Sequence, residues 1–422
     1  MKSIHLSKYI LKVKNSPTVL FNTESCEFIE LSDTEYKNLC TKDFDSISLA
    51  KITELTEKQY LKGVHKSQKE ILSKNEKEPN PLILSILTTS HCNAQCEYCF
   101  EKKFPKTTME KSTAEKICRY ILESGKEVVY ITWFGGEPLL NISIIEHISD
   151  FLVKNKIKFY SSIITNGLLL NKISQEQLKK WNVVRIQVTL DSIREKYNNI
   201  KRFKTHDNAF EKVLKNLSNL IPSNITIKIR VNFSTESIND ALETIEFIYN
   251  TFGNPRNLKV YVAHIYGGNL LSPLELPPDN NPYIILYKKL IQYGYIKELS
   301  QIGLSPKSSF CSRVSDYYVI DPSGNLYKCE HMLNHSKEKI GNIHQNILNH
   351  EKEIEWKSKG LPYQECNKCL ILPSCRGGCK AKWMEYKKEF VCLPIKNCLE
   401  AVLGLFYENV IANNNIPEAL LN

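Results

Sequence analysis

The sequence predicts an α/β protein whose centre is a parallel sheet, with a small α+β unit before it and a cysteine-rich domain after it. Between residues 82 and 266, short β-branched runs alternate with longer segments of helical periodicity. Strand-helix repeats of this kind build a parallel sheet, open or closed into a barrel. Most of the 14 cysteines fall into one group near residue 95 and a second group beyond residue 310.

Length, charge and hydropathy restrict the class of protein. The 422 residues suffice for one large domain or for two to three ordinary ones. The net charge of +10 comes from lysines spread along the whole chain, so we predict no nucleic-acid partner. No segment has signal-peptide character or the roughly 20 apolar residues of a membrane span, which predicts a cytoplasmic protein with no membrane partner.

Residues 1–80 are predicted to form the small α+β unit. Two apolar runs, 9–13 and 18–21, flank a turn and indicate a hairpin. Ser32 and Glu35 then have the spacing of a capping box, which begins a helix. A hairpin with short helices is the make-up of a peptide-docking domain.

Residues 81–266 are predicted to form the parallel sheet. Helical segments such as 113–123 and 208–220 separate its strands. Function is expected at the carboxyl ends of these strands. The predicted strands are 82–88, 128–133, 159–165, 184–190, 225–232 and 258–264.

The rest of the chain is predicted to contain a connector and a metal-rich domain. Residues 267–310 are rich in Pro and Leu and are interpreted as the connector. Residues 311–422 follow, with a hairpin at 317–327, most of the remaining cysteines and a final amphipathic helix at about 399–413.

Three cysteines directly after the first strand carry the strongest functional signal. Cys92, Cys96 and Cys99 have C-x3-C-x2-C spacing, and the cytoplasm keeps thiols reduced, so they are expected to bind metal. Three thiolates can hold three corners of an iron-sulfur cube and leave the fourth iron without a protein ligand. The alternatives are buried core thiols or a zinc site, although zinc normally takes four ligands.

This cysteine spacing, with Tyr98 before the third cysteine, resembles the radical S-adenosylmethionine (radical SAM) superfamily. Gly135, Gly136 and Glu137 after the second strand strengthen the resemblance, because they match the GGE motif of that superfamily. The resemblance implies a partial (β/α)6 barrel, S-adenosylmethionine and a 4Fe-4S cluster that binds it. In this reading the glycines let the backbone approach the ligand and the carboxylate binds the methionine ammonium.

Polar residues at the next strand ends complete the predicted S-adenosylmethionine site. Asn166 follows the third strand, and Thr189 and Asp191 end the fourth, where the resemblance places residues near the ribose. Capping of loops and helices is the alternative role of these side chains. Arg230 on the fifth strand is interpreted as facing a carboxylate or pairing with a surface acid.

The resemblance also implies the reaction type. The open iron chelates S-adenosylmethionine, and an electron from the reduced cluster breaks a carbon-sulfur bond to give methionine and a 5'-deoxyadenosyl radical. That radical abstracts a hydrogen atom from the substrate, and the protein orients the reactants and excludes water and oxygen. A flavodoxin or ferredoxin is the implied electron donor.

The C-terminal cysteines resemble the SPASM extension of the superfamily, which implies two auxiliary 4Fe-4S clusters; a zinc ribbon is the alternative. Three evident cysteines are left for the inner cluster, so its fourth ligand stays open, and Cys398 is a spare that competes for the last position. By the resemblance, the outer cluster takes Cys366, Cys369, Cys375 and Cys392, and the inner cluster takes Cys311, Cys329 and Cys379.

Glu330 is the candidate acid or base, because it follows Cys329 where sulfatase-maturing relatives carry an aspartate. A surface glutamate at a strand end is the alternative. The preferred function is maturation of a ribosomally made precursor peptide, with a thioether or other side-chain crosslink as product. The alternatives are an anaerobic sulfatase-maturing enzyme, which forms formylglycine, and a zinc-binding regulatory module.

Overall fold

The structure of the chain is a computed structural model. This structure describes residues 5–13, 18–62, 81–204, 208–265, 281–306, 316–333, 335–345, 347–357, 364–381 and 392–412. The chain divides into two compact units. The first unit combines residues 1–78, 271–310 and 359–422, and the second combines residues 79–270 and 311–358. This division cuts across the predicted boundaries, since the predicted connector and the predicted C-terminal domain are each split between the two units.

The N-terminal part of the first unit is a small α+β structure, as expected. A hairpin of β2 (Ile10–Lys12) and β3 (Val19–Asn22) is extended by β4 (Glu27–Glu30) into a three-stranded antiparallel sheet. β1 (His5–Leu6) pairs with β5 (Leu61–Lys62) in a second, two-stranded sheet. The predicted turn between β2 and β3 and the segment 63–80 lie outside the described residues.

Two helices cover this sheet. The first, α1 (Asp33–Thr41), begins at the predicted capping box, where Ser32 and Glu35 satisfy each other's backbone amides. The second, α2 (Leu49–Glu57), brings Leu55 into a core with Leu20 and Ile29. These elements therefore have their own hydrophobic core.

The centre of the second unit is the predicted parallel sheet. Its six strands are hydrogen-bonded in chain order, and every neighbouring pair is parallel. All six predicted strands are confirmed, with ends that differ by at most two residues. The strands are β6 (Leu82–Thr89), β7 (Val128–Gly135), β8 (Lys158–Thr165), β9 (Val183–Thr189), β10 (Thr226–Phe233) and β11 (Leu258–His264).

Helices connect these strands and bury apolar faces, as strand-helix repeats require. The helical predictions at 113–123 and 208–220 are confirmed within two residues. The six helices are α3 (Lys111–Glu123), α4 (Ile142–Lys154), α5 (Gln175–Lys180), α6 (Arg194–Lys201), α7 (Ala209–Leu220) and α8 (Ile238–Phe252).

The predicted connector contains a helix that the sequence analysis missed, α9 (Pro282–Gln292). Its start had a readable signal, because the Asn281 side chain caps the helix and Pro282 occupies the first turn. The apolar composition that suggested a connector instead supplies buried residues such as Leu286 and Leu290. Residues 266–280 and 307–315 of this region lie outside the described residues.

The predicted hairpin at 317–327 is confirmed, and it extends the main sheet. β12 (Tyr317–Ile320) runs parallel to β6 on the side opposite β7, and β13 (Asn325–Tyr327) follows it antiparallel. Main-chain pairing with β6 explains why residues 311–358 belong to the second unit. The remaining elements here are β14 (Gly341–Asn342), β15 (Ile347–Leu348) and α10 (His350–Lys357).

The last elements belong to the first unit. A four-residue helix, α11 (Leu372–Cys375), lies within the cysteine-rich segment. The final helix, α12 (Leu399–Phe406), continues as a π-helical turn over Tyr407–Ile411, so the predicted helix at about 399–413 is confirmed. Among the described residues, no helix combines the length and apolar character needed to cross a membrane.

Candidate functional site

The loop that carries Cys92, Cys96 and Cys99 begins where β6 ends, at the carboxyl edge of the sheet. This is the edge at which parallel sheets place function. The backbone N–H of Ser90 donates to Thr107 O (2.9 Å), and the Ser90 hydroxyl donates to Pro105 O (2.6 Å). The start of the loop is therefore tied to the segment that follows it.

Burial keeps two of the three thiols protonated in the absence of metal. Burial raises the pKa of the Cys92 thiol to about 11, against a hydrogen bond from Ala94 N (3.4 Å) that lowers it, while nearby Cys96 and Cys99 add to the increase. Burial likewise raises the pKa of Cys99. A coordinating metal deprotonates such thiols, so this loop is suited to metal binding more than to nucleophilic chemistry.

Gly135 and Gly136 approach the backbone that leads into the cysteine loop. A Cβ at Gly135, whose φ is +121°, would lie 2.3 Å from Thr89 O, and one at Gly136 would lie 2.3 Å from His91 O. Gly136 N also donates to Thr89 O (3.0 Å). The close approach that the sequence assigned to a ligand is, in this structure, an approach to the cysteine loop itself.

Glu137 is fully buried and its carboxylate is surrounded by donors. It accepts hydrogen bonds from the Thr165 hydroxyl (2.8 and 2.9 Å to its two oxygens), from Asn166 N (2.9 Å) and from Leu139 N (3.1 Å). Burial nevertheless raises its pKa to about 7, because these hydrogen bonds offset only part of the desolvation. Glu137 thus joins the end of β7 to the end of β8, and its predicted contact with a ligand ammonium stays a prediction.

Asn166 contacts the cysteine loop from the end of β8. Its amide donates to Asn93 Oδ1 (2.7 Å) and lies 3.9 Å from Cys92 Sγ, while its carbonyl accepts from Leu168 N (3.1 Å). Thr189 is the last residue of β9 and pairs with Arg230 in the register of β10. Among the predicted cofactor residues, Asn166 therefore has a side chain in contact with a thiol of the loop.

A buried network connects Tyr98 of the cysteine loop to the ends of α6 and β9. The Tyr98 hydroxyl donates to Asp191 Oδ2 (2.6 Å). Lys201 Nζ lies 2.7 Å from the same oxygen and donates to the Tyr98 hydroxyl (2.8 Å). Burial lowers the pKa of Lys201, but the charge of the Asp191 carboxylate outweighs it and holds the pKa well above its usual value.

The same network reaches β10 through a residue that the sequence analysis did not name. Asn232 donates to Asp191 Oδ1 (2.7 Å), and Arg230 Nε donates to Asn232 Oδ1 (2.7 Å). Asn232 could have been predicted from the sequence, because it is a polar residue near the end of a strand, like Thr189. Lys201 has no such signal, because it is one lysine among many on a helix.

Glu330 lies beside β6, just after β13. Its Oε1 accepts hydrogen bonds from the hydroxyls of Ser85 (3.0 Å) and Tyr317 (3.1 Å). Near it is Glu101, which the sequence analysis missed; burial raises the Glu101 pKa to about 7, and the charge of Glu330 adds to the increase. Next to these acids the rings of Phe100 and His331 stack at 4.7 Å.

In the first unit, Cys366, Cys369, Cys375 and Cys392 line one pocket. Lys396 also lines it and places Nζ 3.5 Å from Cys392 Sγ. Cys398 is buried and is not among the described residues that line this pocket. The four cysteines assigned to the outer cluster are therefore brought together.

The three cysteines assigned to the inner cluster come from different parts of the chain. Cys311 lies outside them. Cys329 is buried in the second unit, and Cys379 belongs to the first. The assignment of these three residues stays a prediction.

The N-terminal sheet packs against the segment that holds the four-cysteine pocket, and both belong to the first unit. Tyr9 packs on Leu372 together with Cys366 and Cys369. The Thr23 hydroxyl donates to Leu370 O, and Lys8 Nζ donates to Asn367 O (3.2 Å). The N-terminal elements are therefore part of the wall behind this pocket.

The donor sets fit iron-sulfur clusters. Within the part of the chain that the structure describes, no three Cys, His, Asp or Glu side chains gather tightly enough to hold a single metal ion. Iron-sulfur clusters are held by cysteine thiolates, and both groups of residues present cysteine thiols. The cysteine loop after β6 supplies three such thiols in an anchored backbone.

Comparison with known proteins agrees with this fold. The sequence model of the radical SAM superfamily matches residues 86–248. The radical SAM cyclopropyl synthase TigE of Paramaledivibacter caminithermalis is 24% identical over 90% of each chain. The mycofactocin maturase MftC of Mycolicibacterium smegmatis is 24% identical over 75% of this chain and 81% of its own.

A solved structure shows the same fold. Native anSMEcpe with bound AdoMet and Cp18Cys peptide superposes with a TM-score of 0.59 at 21% identity, covering 79% of this chain and all of that one. The superfamily implies S-adenosylmethionine and a 4Fe-4S cluster, and radical chemistry is its mode of action. The partial barrel of parallel strands around β6 has the fold of this solved structure, and residues 86–248 within it form a radical SAM domain.

Proposed function

We propose that this protein is a radical SAM maturase that acts on a precursor peptide and forms a thioether or another side-chain crosslink. In this proposal Cys92, Cys96 and Cys99 hold the 4Fe-4S cluster that binds S-adenosylmethionine. One observation carries it: the three-thiol loop lies at the carboxyl end of β6 and is anchored by Gly136, Asn166 and Asp191. When bound, the cluster and S-adenosylmethionine supply one-electron chemistry that removes a hydrogen atom from the substrate.

The residues of the chain then have positioning and proton-transfer roles. Gly135, Gly136 and Glu137 hold the entry to the cysteine loop, and Asn166 orients Cys92. Asn166, Thr189 and Arg230 are the proposed contacts to S-adenosylmethionine, with Asp191 behind them. Anchoring these groups on strand ends fixes the reacting geometry, which is the main contribution of protein to such chemistry.

Glu330 is the proposed acid or base. Ser85 and Tyr317 each donate a hydrogen bond to the same oxygen of Glu330, which orients the carboxylate. A thioether would form with loss of two hydrogens from the peptide: one would leave as a hydrogen atom taken by the radical, and the thiol hydrogen would leave as a proton, with its electron passing to an iron-sulfur cluster. Glu330 would accept that proton from the substrate.

We also propose two auxiliary 4Fe-4S clusters. The pocket lined by Cys366, Cys369, Cys375 and Cys392 supports the outer one, and the position of Cys392 in that pocket favours it over Cys398 as a ligand. Cys311, Cys329 and Cys379 are proposed for the inner cluster. An open position there would suit a substrate thiolate, and flavodoxin or ferredoxin would supply electrons.

A peptide substrate is supported by the relatives and by the N-terminal sheet. The solved anSMEcpe structure contains a bound peptide with AdoMet, and MftC is named a maturase. An extended peptide can add to an exposed sheet edge as an extra strand. The two edge strands of this sheet, β2 and β4, differ in whether their outward backbone groups are available to pair with a peptide.

The outer edge of β4 is covered. Lys58 Nζ donates to Phe28 O (2.9 Å) and Lys51 Nζ donates to Glu30 O (3.1 Å), so side chains satisfy the carbonyls that another strand would need. On β2, the backbone of Ile10 and Lys12 faces away from β3. No hydrogen bond reaches it from the described residues. We therefore propose β2 as the peptide-binding edge.

The overall proposal is tested with anaerobically purified protein. It should be brown, contain about twelve iron atoms if all three sites hold 4Fe-4S clusters, and cleave S-adenosylmethionine. Cleavage should vanish when Cys92, Cys96 and Cys99 are changed to Ala together, while Cys40→Ala, at an exposed solitary thiol, should leave it unchanged. A colourless zinc protein, or cleavage that persists in the triple variant, would overturn the proposal.

The product is tested with a cysteine-containing peptide encoded in a neighbouring reading frame. Loss of two hydrogen atoms by mass spectrometry identifies a crosslink, whereas conversion of a cysteine or serine to formylglycine identifies the sulfatase-maturing alternative. For the edge, Ile10→Pro removes the outward N–H, and Ile10→Ala is the control that keeps it. Weaker peptide binding in Ile10→Pro alone supports strand addition, and equal binding in both variants contradicts it.

A further inference from the structure

We infer that Lys201 is a positioning residue that fixes Tyr98, and with it the separation of Cys96 and Cys99, before a cluster binds. The inference rests on the proposed cluster at Cys92, Cys96 and Cys99. It assigns a role to a lysine at the last position of α6, far from the cysteines in sequence.

The geometry around Lys201 is closed. Its side chain is only 4% exposed, and Nζ lies 2.7 Å from Asp191 Oδ2 and 2.8 Å from the Tyr98 hydroxyl. Tyr98 in turn donates to the same Asp191 oxygen (2.6 Å). The three groups form a triangle in which each pair is in hydrogen-bonding contact.

This triangle leaves the Tyr98 ring little freedom to move. Its hydroxyl both donates and accepts, so a different rotamer would leave a buried ammonium and a buried carboxylate each without one partner. The Lys201 ammonium also lies 5.5 Å from the Tyr98 ring centre and 5.8 Å from that of Tyr197. Because Tyr98 lies between Cys96 and Cys99, a fixed ring fixes the backbone that carries both thiols.

The far side of the triangle is fixed as well. Asp191 Oδ1 accepts from Asn232, which in turn accepts from Arg230, so the carboxylate cannot turn away from Tyr98 without breaking contacts to β10. Asp191 is thereby engaged by three side chains. Its position supports a structural role behind the site, where the sequence had suggested a ribose contact.

Backbone contacts bring the end of α6 to the loop. Lys201 O accepts from Gln95 N (2.9 Å), and Lys204 N donates to Asn93 O (3.0 Å). Cys96 Sγ lies 3.9 Å from Lys201 O. The side-chain triangle therefore extends a docking surface that already exists between α6 and the cysteine loop.

The experiment compares iron release from anaerobically reconstituted wild type, Lys201→Met and Tyr98→Phe into bathophenanthroline disulfonate. Groups that orient metal ligands typically change metal affinity 10–100-fold when mutated, so iron from this site should be released at least tenfold faster in both variants. Tyr98→Phe keeps the ion pair between Lys201 and Asp191, so this variant tests the inference even if Lys201→Met does not fold. Lys196→Met is the matched control, since it removes an exposed ion pair with Asp240 from the same helix.

A second readout separates positioning from general stability. The thermal midpoint of the cluster-free Tyr98→Phe protein should fall by only a few degrees, because two hydroxyl contacts are lost but the buried ion pair remains. Wild-type release rates in both variants would overturn the inference while leaving the proposed function intact. Absence of iron from the reconstituted wild type would instead overturn the proposed function.

Discussion

Replacing Glu137 with Gln should remove a large pH dependence from the stability of the cluster-free protein. Glu137 is fully buried at the junction of β7 and β8, and burial raises its pKa from 4.5 to about 7. A carboxyl that binds its proton more tightly in the folded than in the unfolded state stabilises the fold only while it stays protonated. The Glu137 contribution should therefore be lost as the pH rises.

The magnitude follows from the two pKa values. A difference between 4.5 and about 7 corresponds to roughly 3 kcal/mol at 1.36 kcal/mol per pKa unit. Between these pH values the folded chain binds more protons than the unfolded chain, so the free energy of unfolding falls with rising pH. Below pH 4.5 and above pH 7 this group should add no further slope.

The Glu137→Gln variant should lack this pH dependence. Gln cannot ionise, but its amide nitrogen cannot accept from Leu139 N or Asn166 N, so one backbone donor loses its partner at a cost of about 1–3 kcal/mol. At pH 5 the variant should therefore be less stable than the wild type. By pH 8 the wild type should have lost about 3 kcal/mol, so the difference should vanish or reverse in sign.

Urea unfolding of both proteins between pH 5 and 8 measures this difference. Trp133 and Trp181 are fully buried in the same unit as Glu137 and report its unfolding by fluorescence. Equal dependence on urea in both proteins is required before free energies are compared. A stability difference between wild type and variant that stays constant from pH 5 to pH 8 would refute the reasoning.

Three further predictions concern the cysteines and their surroundings. Gly136→Ala should lower the iron bound at Cys92, Cys96 and Cys99 severalfold, since its Cβ would lie 2.3 Å from His91 O, and iron analysis checks this. Gly125→Ala is the control for backbone strain away from the loop, because Gly125 has a φ of +62° and its Cβ would meet nothing within 4 Å. Cys392→Ser should lose the outer cluster and Cys398→Ser should keep it, as counted by iron per chain, and the reverse result would reassign the ligand. Lys396→Met should lower the reduction potential of that cluster by about 40 mV, equivalent to roughly 1 kcal/mol for one electron, because a cation beside a thiolate favours the reduced form. A potentiometric titration that shows no shift in this potential contradicts the prediction.

Local patterns predicted most of the fold. The six parallel strands follow from β-branched runs and the capping box from the spacing of Ser32 and Glu35, both of which are short-range signals. The division into units was not predictable in this way. It depends on the pairing of β12 with β6, and no local signal marks a strand that pairs across more than 200 residues of chain.

The same distinction between short-range signals and long-range packing applies to the residues of the site. The three cysteines and the Gly-Gly-Glu motif were readable, because each has a characteristic spacing and follows a strand. The buried position of Glu137 could not be predicted from the sequence, because it depends on two strand ends that come together only in the folded chain. Lys201 was also invisible, because only tertiary packing distinguishes one buried lysine from the many on the surface.

Successive strands of the sheet each hold the cysteine loop by a different contact. The segment after β7 supplies Gly136 and Glu137, whose amides donate to Thr89 O and His91 O, and β8 leads into Asn166, which contacts Cys92. The segment after β9 supplies Asp191, and β10 fixes that carboxylate through Asn232. Because these contacts come from separate strand ends, losing one should loosen the loop without releasing it, and cluster retention should fall stepwise as they are removed in combination.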